Sequence, residues 1–547
     1  MAATATQEFP VVIAGGGLIG LSAAMFLAQQ GVASLAVERL RGGSPLPRAA
    51  HFHLRTLELF RLAGIEDEVK RRSEDDFLPE GAIIAMDSLS GRKLADIIGS
   101  LNAGVEVLSP CRRLFISQPS LEPILRRRAR AAGARVLEGY QVTSVKQKAT
   151  GVTVTVKEAE SGQERELRAQ YLVAADGAHS TVRELLGIPL DGRGVFSNSI
   201  TIYFTADLSP QLGGKPLSVI YINNPVFGGF MRMNKDCQSG FIGINRAGDP
   251  LTDPEAANVA KDISEKRLVE FVRAAAGVPD LPVRIDGVAR WRATSDVARR
   301  FAQGRTFLAG DAAHLMPPNG GFGGNTGIHD AHNLAWKLAY VLKGLAEPSL
   351  LDSYDLERRP IAKFTVEQAY TRYVTRTAPY LGATDFQPLA DDFNIELGHV
   401  YHSPAILADG QDDNAVHADP HQTRGRPGTR APHLWLAQAE RQISTLDLFG
   451  GAFVLLAGPR GAAWCRAAHS ASKNFPGLAI DAHLIGSPDL QDPAGQFAQA
   501  HGLSQDGAVM VRPDGFVAWR AKELAGDPQH TLEGVFDALL MRRRVRH

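Results

Sequence analysis

The sequence has few cysteines and no cysteine pairs. Its 547 residues include three cysteines, Cys111, Cys237 and Cys465, and no C-x-x-C motif. Isolated cysteines exclude a disulfide framework, a cysteine-ligated zinc site and dithiol redox chemistry. We expect each of them to act as a small apolar side chain.

Charge of one sign and long apolar runs are also lacking. Lysine and arginine together number 59, as do aspartate and glutamate, so nothing indicates a polyanionic partner. No stretch approaches the roughly 20 apolar residues that span a bilayer. Residues 1–10 lack the basic and apolar regions of a secretory signal. We expect a cytoplasmic protein with neither a nucleic-acid nor a membrane partner.

Motifs for hydrolysis and metal binding are missing as well. His417, His421 and His433 lie in one polar stretch but without regular ligand spacing, and no G-x-S-x-G motif is present. We therefore expect neither a bound metal nor serine hydrolase chemistry.

A glycine motif stands near the N-terminus. Gly15, Gly17 and Gly20 satisfy G-x-G-x-x-G, after the apolar run VVIA and at the start of a helical stretch that extends to about Gln30. Such glycines allow a tight turn, admit a pyrophosphate and let the helix pack on the strand. A second strand ends at Glu38, whose carboxylate can accept hydrogen bonds from ribose hydroxyls. Together these features predict a dinucleotide site.

A second glycine-rich segment favours a flavin over a nicotinamide dinucleotide. The sequence FLAGDAAH at residues 307–314 reads as a short buried strand followed by Asp311, and PPNGGFGGN at residues 317–325 reads as a turn into a helix. The Asp311 carboxylate can accept hydrogen bonds from sugar or ribityl hydroxyls. The small residues let backbone amides approach a flat ring.

The order of elements predicts a mixed α/β and α+β fold with an inserted sheet. Residues 1–187 and 291–400 are predicted to form a Rossmann-like cofactor domain, with a largely antiparallel substrate sheet inserted at residues 188–290. Residues 408–428 are predicted to be a polar linker to a small domain at residues 429–547, with a hairpin turn at residues 513–515.

These motifs carry a family resemblance. The chain resembles the flavin-dependent aromatic hydroxylases of the p-hydroxybenzoate hydroxylase fold group, most of all the aklavinone hydroxylase type that acts on polyketides, and the related phenol hydroxylases. Besides both glycine segments, PRA at residues 47–49, RTLEL at residues 55–59 and D-G-x-x-S-x-V-R from Asp176 carry it. The C-terminal part is similar to the thioredoxin-like domain of these enzymes, and its missing C-x-x-C implies a structural role.

The resemblance implies non-covalent FAD, NADPH as a transient reductant that shares the FAD groove, and dioxygen. It assigns cofactor contacts to the pyrophosphate turn at residues 15–20, the ribose carboxylate, the flavin loop at residues 320–325 and five further residues. In order, these residues are Gly15, Gly17, Leu18, Ile19, Gly20, Glu38, Arg48, Gln118, Val142, Asp176, Asp311, Gly320, Gly323, Gly324 and Asn325.

The resemblance further implies a single-component monooxygenase that hydroxylates a phenolic substrate through a flavin C4a-hydroperoxide. Tyr221 and Arg376 are the catalytic candidates, as a hydrogen-bonding phenol and a cation that can stabilise a phenolate; packing and surface ion pairing are equally open for both. His51 and His53 can border the flavin, but solvent exposure is the simpler account.

Three other functions share some of these motifs. A flavin-dependent halogenase lacks support because the W-x-W-x-I-P pattern is missing. A Baeyer-Villiger monooxygenase acting on a polyketide ketone stays open, as does a non-catalytic flavoprotein. The expected partner is a phenolic small molecule, polycyclic or single-ring, and the chain is expected to be a monomer or homodimer.

Overall fold

The computed structural model describes most of the chain. The described residues are 7–43, 50–78, 80–248, 250, 252, 253, 256, 259, 263–410 and 413–542. The predicted flavin contact Arg48 lies outside them.

The described strands are numbered along the chain. They are β1 (Gln7–Ala14), β2 (Ser34–Glu38), β3 (His51–Phe52), β4 (Ala82–Met86), β5 (Lys93–Ile98), β6 (Leu114–Phe115), β7 (Arg135–Glu138), β8 (Tyr140–Lys148), β9 (Gly151–Glu158), β10 (Glu164–Ala174), β11 (Leu190–Thr205), β12 (Leu217–Asn223), β13 (Phe227–Met233), β14 (Ser239–Ala247), β15 (Arg284–Ala298), β16 (Ala302–Gln303), β17 (Thr306–Leu308), β18 (His314–Leu315), β19 (Trp435–Gln438), β20 (Arg441–Ser444), β21 (Phe453–Ala457), β22 (Ile480–Leu484), β23 (Ala508–Val511) and β24 (Val517–Ala521).

The described α-helices are numbered in the same way. They are α1 (Leu18–Gln29), α2 (Leu54–Leu62), α3 (Glu66–Asp76), α4 (Gln118–Ala131), α5 (Thr181–Leu185), α6 (Ser209–Leu212), α7 (Glu265–Ala276), α8 (Phe322–Leu342), α9 (Asp352–Arg372), α10 (Asp392–Glu396), α11 (Ala462–Ser472), α12 (Phe497–His501) and α13 (Pro528–Leu539). A π-helical turn, Tyr373–Thr377, directly follows α9.

The first sheet is largely parallel, in the order β16-β17-β10-β1-β2-β7, with the antiparallel β9 and β8 added beside β10. Strands β1, β2, β10 and β17 are fully or mostly buried, and α1 packs against α4 and α8. The carboxyl ends of parallel strands meet at one edge of a sheet, where α/β proteins bind ligands. This confirms the predicted Rossmann-like arrangement.

The second sheet is largely antiparallel, in the order β18-β15-β11-β14-β13-β12-β4-β5. Strand β4 pairs with β12 in parallel, Ile83 opposite Val219. Strands β4 and β5 thus belong to this sheet although they precede the predicted insert at residues 188–290. One face of the sheet packs its isoleucines and phenylalanines against α7, and the other face is left for the site.

The C-terminal unit is a mixed sheet in the order β22-β21-β23-β24, with α11 and α13 packed together beside it. Strand β21 is parallel to β22 and antiparallel to β23. The turn between β23 and β24 holds Gly515 at φ +80°, as expected for the predicted hairpin turn at residues 513–515.

A buried ionic network joins this C-terminal unit to the cofactor domain. The Arg512 guanidinium donates to Glu357 Oε1 at 2.6 Å and to Asp514 Oδ2 at 2.5 Å, and Lys337 Nζ donates to Glu357 Oε2 at 2.8 Å. These side chains are at most 2% exposed. Loss of one partner would leave another charge buried without compensation, so this network holds the two units in one arrangement.

The segment predicted to be a linker is hydrogen-bonded to the residues before it and to the C-terminal unit. The Val400 amide donates to the Val416 carbonyl at 3.0 Å, the Tyr401 amide donates to the Gly428 carbonyl at 2.8 Å, and the Gly428 amide donates to the Val517 carbonyl at 2.8 Å. Polar composition here reflects a hydrogen-bonded connection rather than a free spacer.

Membrane-spanning helices and metal-binding clusters are both absent from the described residues. No helix among the described residues is long and apolar enough to cross a bilayer. Within the same residues, no cluster of three or more histidine, cysteine, aspartate or glutamate side chains has the geometry to hold a metal ion.

Candidate active site

A cavity of about 1700 Å³ lies between the first and second sheets. Its wall contains most of the residues predicted to contact a cofactor, although they are spread over some 300 positions of the chain. These wall residues are Gly15, Gly17, Leu18, Ile19, Glu38, Gln118, Val142, Asp176, Asp311, Gly320, Gly323 and Gly324. Tyr221 and Arg376, the catalytic candidates, border the same cavity.

The first turn of the cavity wall requires glycine. Gly15 adopts φ +100°, and a Cβ atom on it would lie 2.2 Å from the carbonyl oxygen of Ala175. A Cβ on Gly20 would lie 1.9 Å from the Gly15 carbonyl oxygen. Gly20 therefore does not face the cavity; it lets α1 pack on the turn. No described side chain caps the N-terminus of α1 at Gly17, so its first amides are free for an anion.

Glu38 lies at the carboxyl end of β2 with both oxygens oriented. Its Oε2 accepts from the Gly16 amide at 2.7 Å, and its Oε1 accepts from the Leu40 amide at 2.8 Å. A carboxylate has about four acceptor positions. Glu38 is thus held at the cavity edge with positions left for the hydroxyls of a ribose.

Ile19 joins the two glycine segments. A Cβ on Gly310, which has φ +63°, would lie 2.7 Å from Ile19 Cγ1, and a Cβ on Gly327 would lie 2.6 Å from Ile19 Cδ1. The absence of side chains at both glycines lets α1 and α8 approach closely. This contact places Asp311 beside the pyrophosphate turn.

The flavin loop ends in the uncapped N-terminus of α8. Gly320 and Gly321 have φ values of +87° and +72°, and no described side chain caps the helix. His53 Nε2 lies 2.9 Å from the Gly320 carbonyl oxygen. The loop therefore presents backbone atoms to the cavity.

Asn325 lies behind this loop and outside the cavity wall. Its Oδ1 accepts from the His53 amide at 2.9 Å and from Thr56 Oγ1 at 2.7 Å, while its Nδ2 donates to the carbonyls of His51 and Gly321. Its side chain is therefore used to hold the loop in place.

Asp176 and Gln118 also have partners within the protein. Asp176 accepts from Ser180 Oγ at 2.5 Å and from the Val182 amide at 3.0 Å at the start of α5, and burial raises the pKa of Asp176. Gln118 Nε2 donates to Glu122 Oε1 at 2.7 Å. Both side chains border the cavity with their orientation fixed from behind.

The second sheet supplies the opposite wall through alternate residues of its strands. In β11, Ile200 and Ile202 face the core while Thr201 and Tyr203 face the cavity. The same alternation of faces places further side chains at the cavity in neighbouring strands: Val219, Tyr221, Phe230, Arg232, Ala289 and Trp291.

Tyr221 and Arg376 approach the cavity from different elements. Tyr221 is in β12, whereas Arg376 is in the π-helical turn after α9, and such turns are frequent at functional sites. Burial raises the pKa of Tyr221, while the positive charges of Arg376 and Arg372 act in the opposite direction. At neutral pH Tyr221 is a protonated hydrogen-bond donor near two cations.

Asn319 connects the flavin loop to this cationic turn. It is 6% exposed, borders the cavity, and its Nδ2 donates to Thr377 Oγ1 at 2.6 Å. The sequence places Asn319 within the glycine-rich turn but does not predict this contact.

His53 is buried and His51 is half-buried at the boundary between the two walls, so the expected solvent exposure was wrong for His53. His53 is 2% exposed, and the His51 ring stacks on Phe115 with centroids 4.6 Å apart. Burial lowers the pKa of both histidines, with nearby His53, Arg113 and Arg232 adding to the effect on His51. The histidine rings are therefore neutral at pH 7.

Two arginines of the wall that the sequence did not single out are neutralised by carboxylates. Arg113 Nε donates to Glu396 Oε1 at 2.8 Å, and Arg372 Nη2 donates to Asp392 Oδ1 at 2.6 Å. All four residues border the cavity.

Arg232 is a third buried arginine with different surroundings. Its guanidinium carbon lies 3.7 Å from the Phe77 ring centroid and 3.9 Å from the Phe115 ring centroid, and the residue is 4% exposed. No described residue forms a side-chain hydrogen bond or ion pair with it, and its buried Nε lacks a partner. The alternation of side-chain faces along β13 is the sequence pattern that could have predicted the position of Arg232 on the cavity face.

This cavity fits FAD. Gly15 forms a turn that no side chain could enter, Gly20 lets α1 pack on that turn, and two uncapped helix N-termini border the cavity. A carboxylate held by amides stands at the expected ribose position. Backbone rather than side chain lines the wall at Gly320 and Gly323.

Comparison with known proteins agrees with this geometry. Residues 8–369 match the FAD binding domain family, and residues 424–541 match the aromatic-ring hydroxylase C-terminal domain. A 4-methyl-5-nitrocatechol 5-monooxygenase from a Burkholderia species is 50% identical over 539 residues, with 98% of each chain covered. An aklavinone 12-hydroxylase from Streptomyces purpurascens is 38% identical, with 98% of this chain and 99% of the relative covered.

Among solved structures, a ternary complex of aklavinone-11 hydroxylase with FAD and aklavinone matches with a TM-score of 0.91 and 37% identity, covering 98% of this chain and 99% of that one. The match extends over both sheets and the C-terminal unit. The chain therefore belongs to the FAD-dependent aromatic-ring hydroxylases, and it is a flavoprotein monooxygenase.

Proposed function

We propose that this enzyme uses NADPH and dioxygen to hydroxylate a phenolic ring by the flavin C4a-hydroperoxide route. In this reaction one oxygen atom enters the ring, and the other leaves as water with two electrons from NADPH and a proton. The observation that carries the proposal is the single cavity in which the dinucleotide turn, the flavin loop and an aromatic-rich sheet face one another.

The cofactor wall supports the predicted contacts with FAD. The amides at the start of α1 would bind the pyrophosphate, Glu38 the adenosine ribose and Asp311 the ribityl chain, with Gln118 and Val142 at the adenosine end. Bound FAD supplies electron transfer from NADPH and the activation of dioxygen.

The flavin loop would keep the reacting edge of the ring free of acids. Gly320, Gly323 and Gly324 present backbone to the cavity, and the buried carbonyl of Gly320 is held by His53. Amide dipoles that are fixed before the reaction stabilise developing negative charge without rearrangement. A carboxylic acid at the same place would promote release of hydrogen peroxide.

Tyr221 and Arg376 are proposed to orient and activate the phenol. Burial raises the pKa of Tyr221, so its hydroxyl stays protonated and can donate to the substrate oxygen. The positive charges of Arg376 and Arg372 favour the phenolate form of the substrate, whose electron-rich ortho and para carbons accept the oxygen atom.

The substrate is proposed to be a substituted single-ring phenol or catechol. The relative that shares 50% identity is named for a nitrocatechol, whereas relatives near 38% identity are named for larger polyketides. The aromatic wall residues Tyr203, Phe230, Phe241 and Trp291 suit a flat ring of either size.

The test is turnover by purified holoenzyme with a panel of phenol, 4-methylcatechol, 4-nitrocatechol, protocatechuate and a polycyclic phenol. We expect substrate-stimulated NADPH oxidation, faster than with NADH, and a product that carries one ¹⁸O atom from ¹⁸O₂. Attack at a carbon that bears a nitro group would instead release nitrite. Added catalase separates true hydroxylation from hydrogen peroxide release.

Two results would contradict the proposal. Lactone or ester products from ketone substrates would identify a Baeyer-Villiger monooxygenase. A yellow protein that never oxidises NADPH faster with any ring compound would leave the non-catalytic flavoprotein as the better account.

A further inference from the structure

We propose that Arg232 is a specificity residue, which binds a planar two-oxygen substituent, a nitro or carboxylate group, on the substrate ring. This inference rests on the proposed function, because it concerns which aromatic compound the same cavity accepts. The surroundings of the Arg232 guanidinium support this assignment.

Two aromatic rings lie against the Arg232 guanidinium. The guanidinium carbon lies within 4 Å of the ring centroids of Phe77 and Phe115. Cation–π contacts of this kind stabilise the positive charge but supply no oxygen acceptor to the N–H groups. Phe115 in turn stacks on His51, so the whole arrangement is held rigidly.

The N–H groups of Arg232 lack acceptors within the described protein. Its Nε is buried without a partner, and burial lowers the pKa of Arg232, opposed only by the charge of Asp76. Leaving a buried charged donor unsatisfied is unfavourable. The neighbouring cations Arg113 and Arg372 each have a carboxylate partner, which Arg232 lacks among the described residues.

The position of Arg232 allows a bound ring to supply that acceptor. In the register of β12 and β13, Tyr221 lies opposite Phe230, and Arg232 is two residues further along β13 on the same face. Diagonal neighbours of this kind have Cα atoms about 7–8 Å apart. A ring whose hydroxyl is bound by Tyr221 can therefore present another substituent to Arg232.

The geometry of a guanidinium selects the kind of substituent. Its parallel N–H groups match two oxygen atoms in one plane, as in a nitro or carboxylate group, and not a methyl group or a single hydroxyl. Arg232 also borders a second cavity of about 30 Å³, which has room for a water molecule. The test must therefore separate substrate binding from simple hydration.

The experiment measures the dissociation constant of three catechols from the change in the flavin spectrum of the oxidised holoenzyme. The probes are 4-nitrocatechol, protocatechuate and 4-methylcatechol. We expect the wild type to bind the nitro or the carboxylate compound more tightly than the methyl compound, and the stronger of the two identifies the group.

Arg232→Met should weaken binding of the preferred compound by roughly 10- to 100-fold, the loss of a charged hydrogen bond. Binding of 4-methylcatechol should change less than about threefold. Arg232→Gln, which keeps a polar side chain, provides a second variant if the first does not fold. Arg267→Met is the control: Arg267 also lies on a phenylalanine ring, 4.7 Å from the Phe271 centroid, but outside the cavity.

The melting temperature of the substrate-free enzyme supplies a second readout. Because the Arg232 N–H groups lack an acceptor among the described residues, removal of this buried charge should offset the lost cation–π contacts. Arg232→Met should therefore melt no lower than the wild type. Three results would overturn the inference: no preference in the wild type, an equal loss for all three catechols, or an unchanged preference in both variants. Failure of the proposed function would look different, since binding could then be selective without stimulation of NADPH oxidation.

Discussion

The two walls of the cavity are built from different chemical parts. The cofactor wall contains two turns made of backbone, with glycines at Gly15 and Gly320 and two uncapped helix N-termini. The substrate wall consists of side chains that project from one face of a sheet, such as Tyr221 and Arg232. A substitution at either glycine turn must therefore disturb the backbone, whereas one in the substrate wall can alter recognition alone.

The largest effect is expected from Gly15→Ala. The new Cβ would lie 2.2 Å from the Ala175 carbonyl oxygen in a backbone with φ +100°, and such a conformation alone costs about 1–3 kcal/mol for a residue with a side chain. We expect a protein that retains no flavin, measured as flavin absorbance per polypeptide. Gly526→Ala, where no atom lies within 4 Å of the new Cβ, should retain full flavin, and a flavin-loaded Gly15→Ala enzyme would refute this account of the wall.

The next largest effect concerns the support behind the cofactor wall. Arg512→Met leaves Glu357 and Asp514 buried with fewer partners, and breaking such a pair costs about 3–5 kcal/mol. We expect Arg512→Met to release its flavin at a clearly lower temperature than the wild type, and the rise in flavin fluorescence on heating measures this release. Arg441→Met, at an exposed position of β20, is the matched control. Equal melting of the two variants would mean that the C-terminal unit does not stabilise the cofactor domain.

Lowering the pH from 7 to 5 should protonate histidines of the cofactor domain and the C-terminal unit and so destabilise them. The stretch between His179 and His314, which supplies most of the substrate sheet, contains no histidine. Burial lowers the pKa of His399 to about 3. Unfolding lets this histidine bind a proton below its ordinary pKa of about 6.5, so stability is full above that pH and is lost as the pH falls.

For His399→Gln, the fall in the free energy of unfolding between pH 7 and pH 5 should therefore be smaller by about 2 kcal/mol. Denaturant unfolding at both pH values measures this difference. His530→Gln, on an exposed helical turn, should keep the acid sensitivity of the wild type. An unchanged pH dependence in His399→Gln would show that folding does not shift the pKa of His399.

The smallest structural effect is expected from Tyr221→Phe in the substrate wall. The change removes one hydroxyl, so flavin content and melting temperature should stay close to those of the wild type. The value of kcat/KM should fall by about tenfold, the worth of one hydrogen bond of about 1.4 kcal/mol. Loss of flavin in this variant would contradict the division between the two walls.

This division explains how much of the site could be predicted from the sequence. Gly15, Glu38 and Asp311 lie at or shortly after the carboxyl ends of strands and border the cavity, because backbone geometry restricts which residues fit there. The helical stretch predicted to extend to about Gln30 is α1, which ends at Gln29. Local turn and helix patterns carry this information.

Features that depend on distant pairing were not predicted. Strands β4 and β5 join the second sheet through β12, far along the chain, and no local pattern records that partner. The burial of His53 depends on Gly320, and the function of Arg232 depends on two phenylalanines from other elements. The alternation within β13 gives the face of Arg232 but not its neighbours.

The parallel pairing of β4 with β12 has a consequence for synthesis of the chain. Ile83 cannot form its pair until Val219 has been synthesised. At a synthesis rate of about 5–20 residues per second, this delay lasts many seconds. During that time the apolar strand AIIAM has an unpaired edge, which can pair with a neighbouring nascent chain. We expect the yield of intact enzyme to depend on chaperones that cover this strand before the second half of its sheet leaves the ribosome.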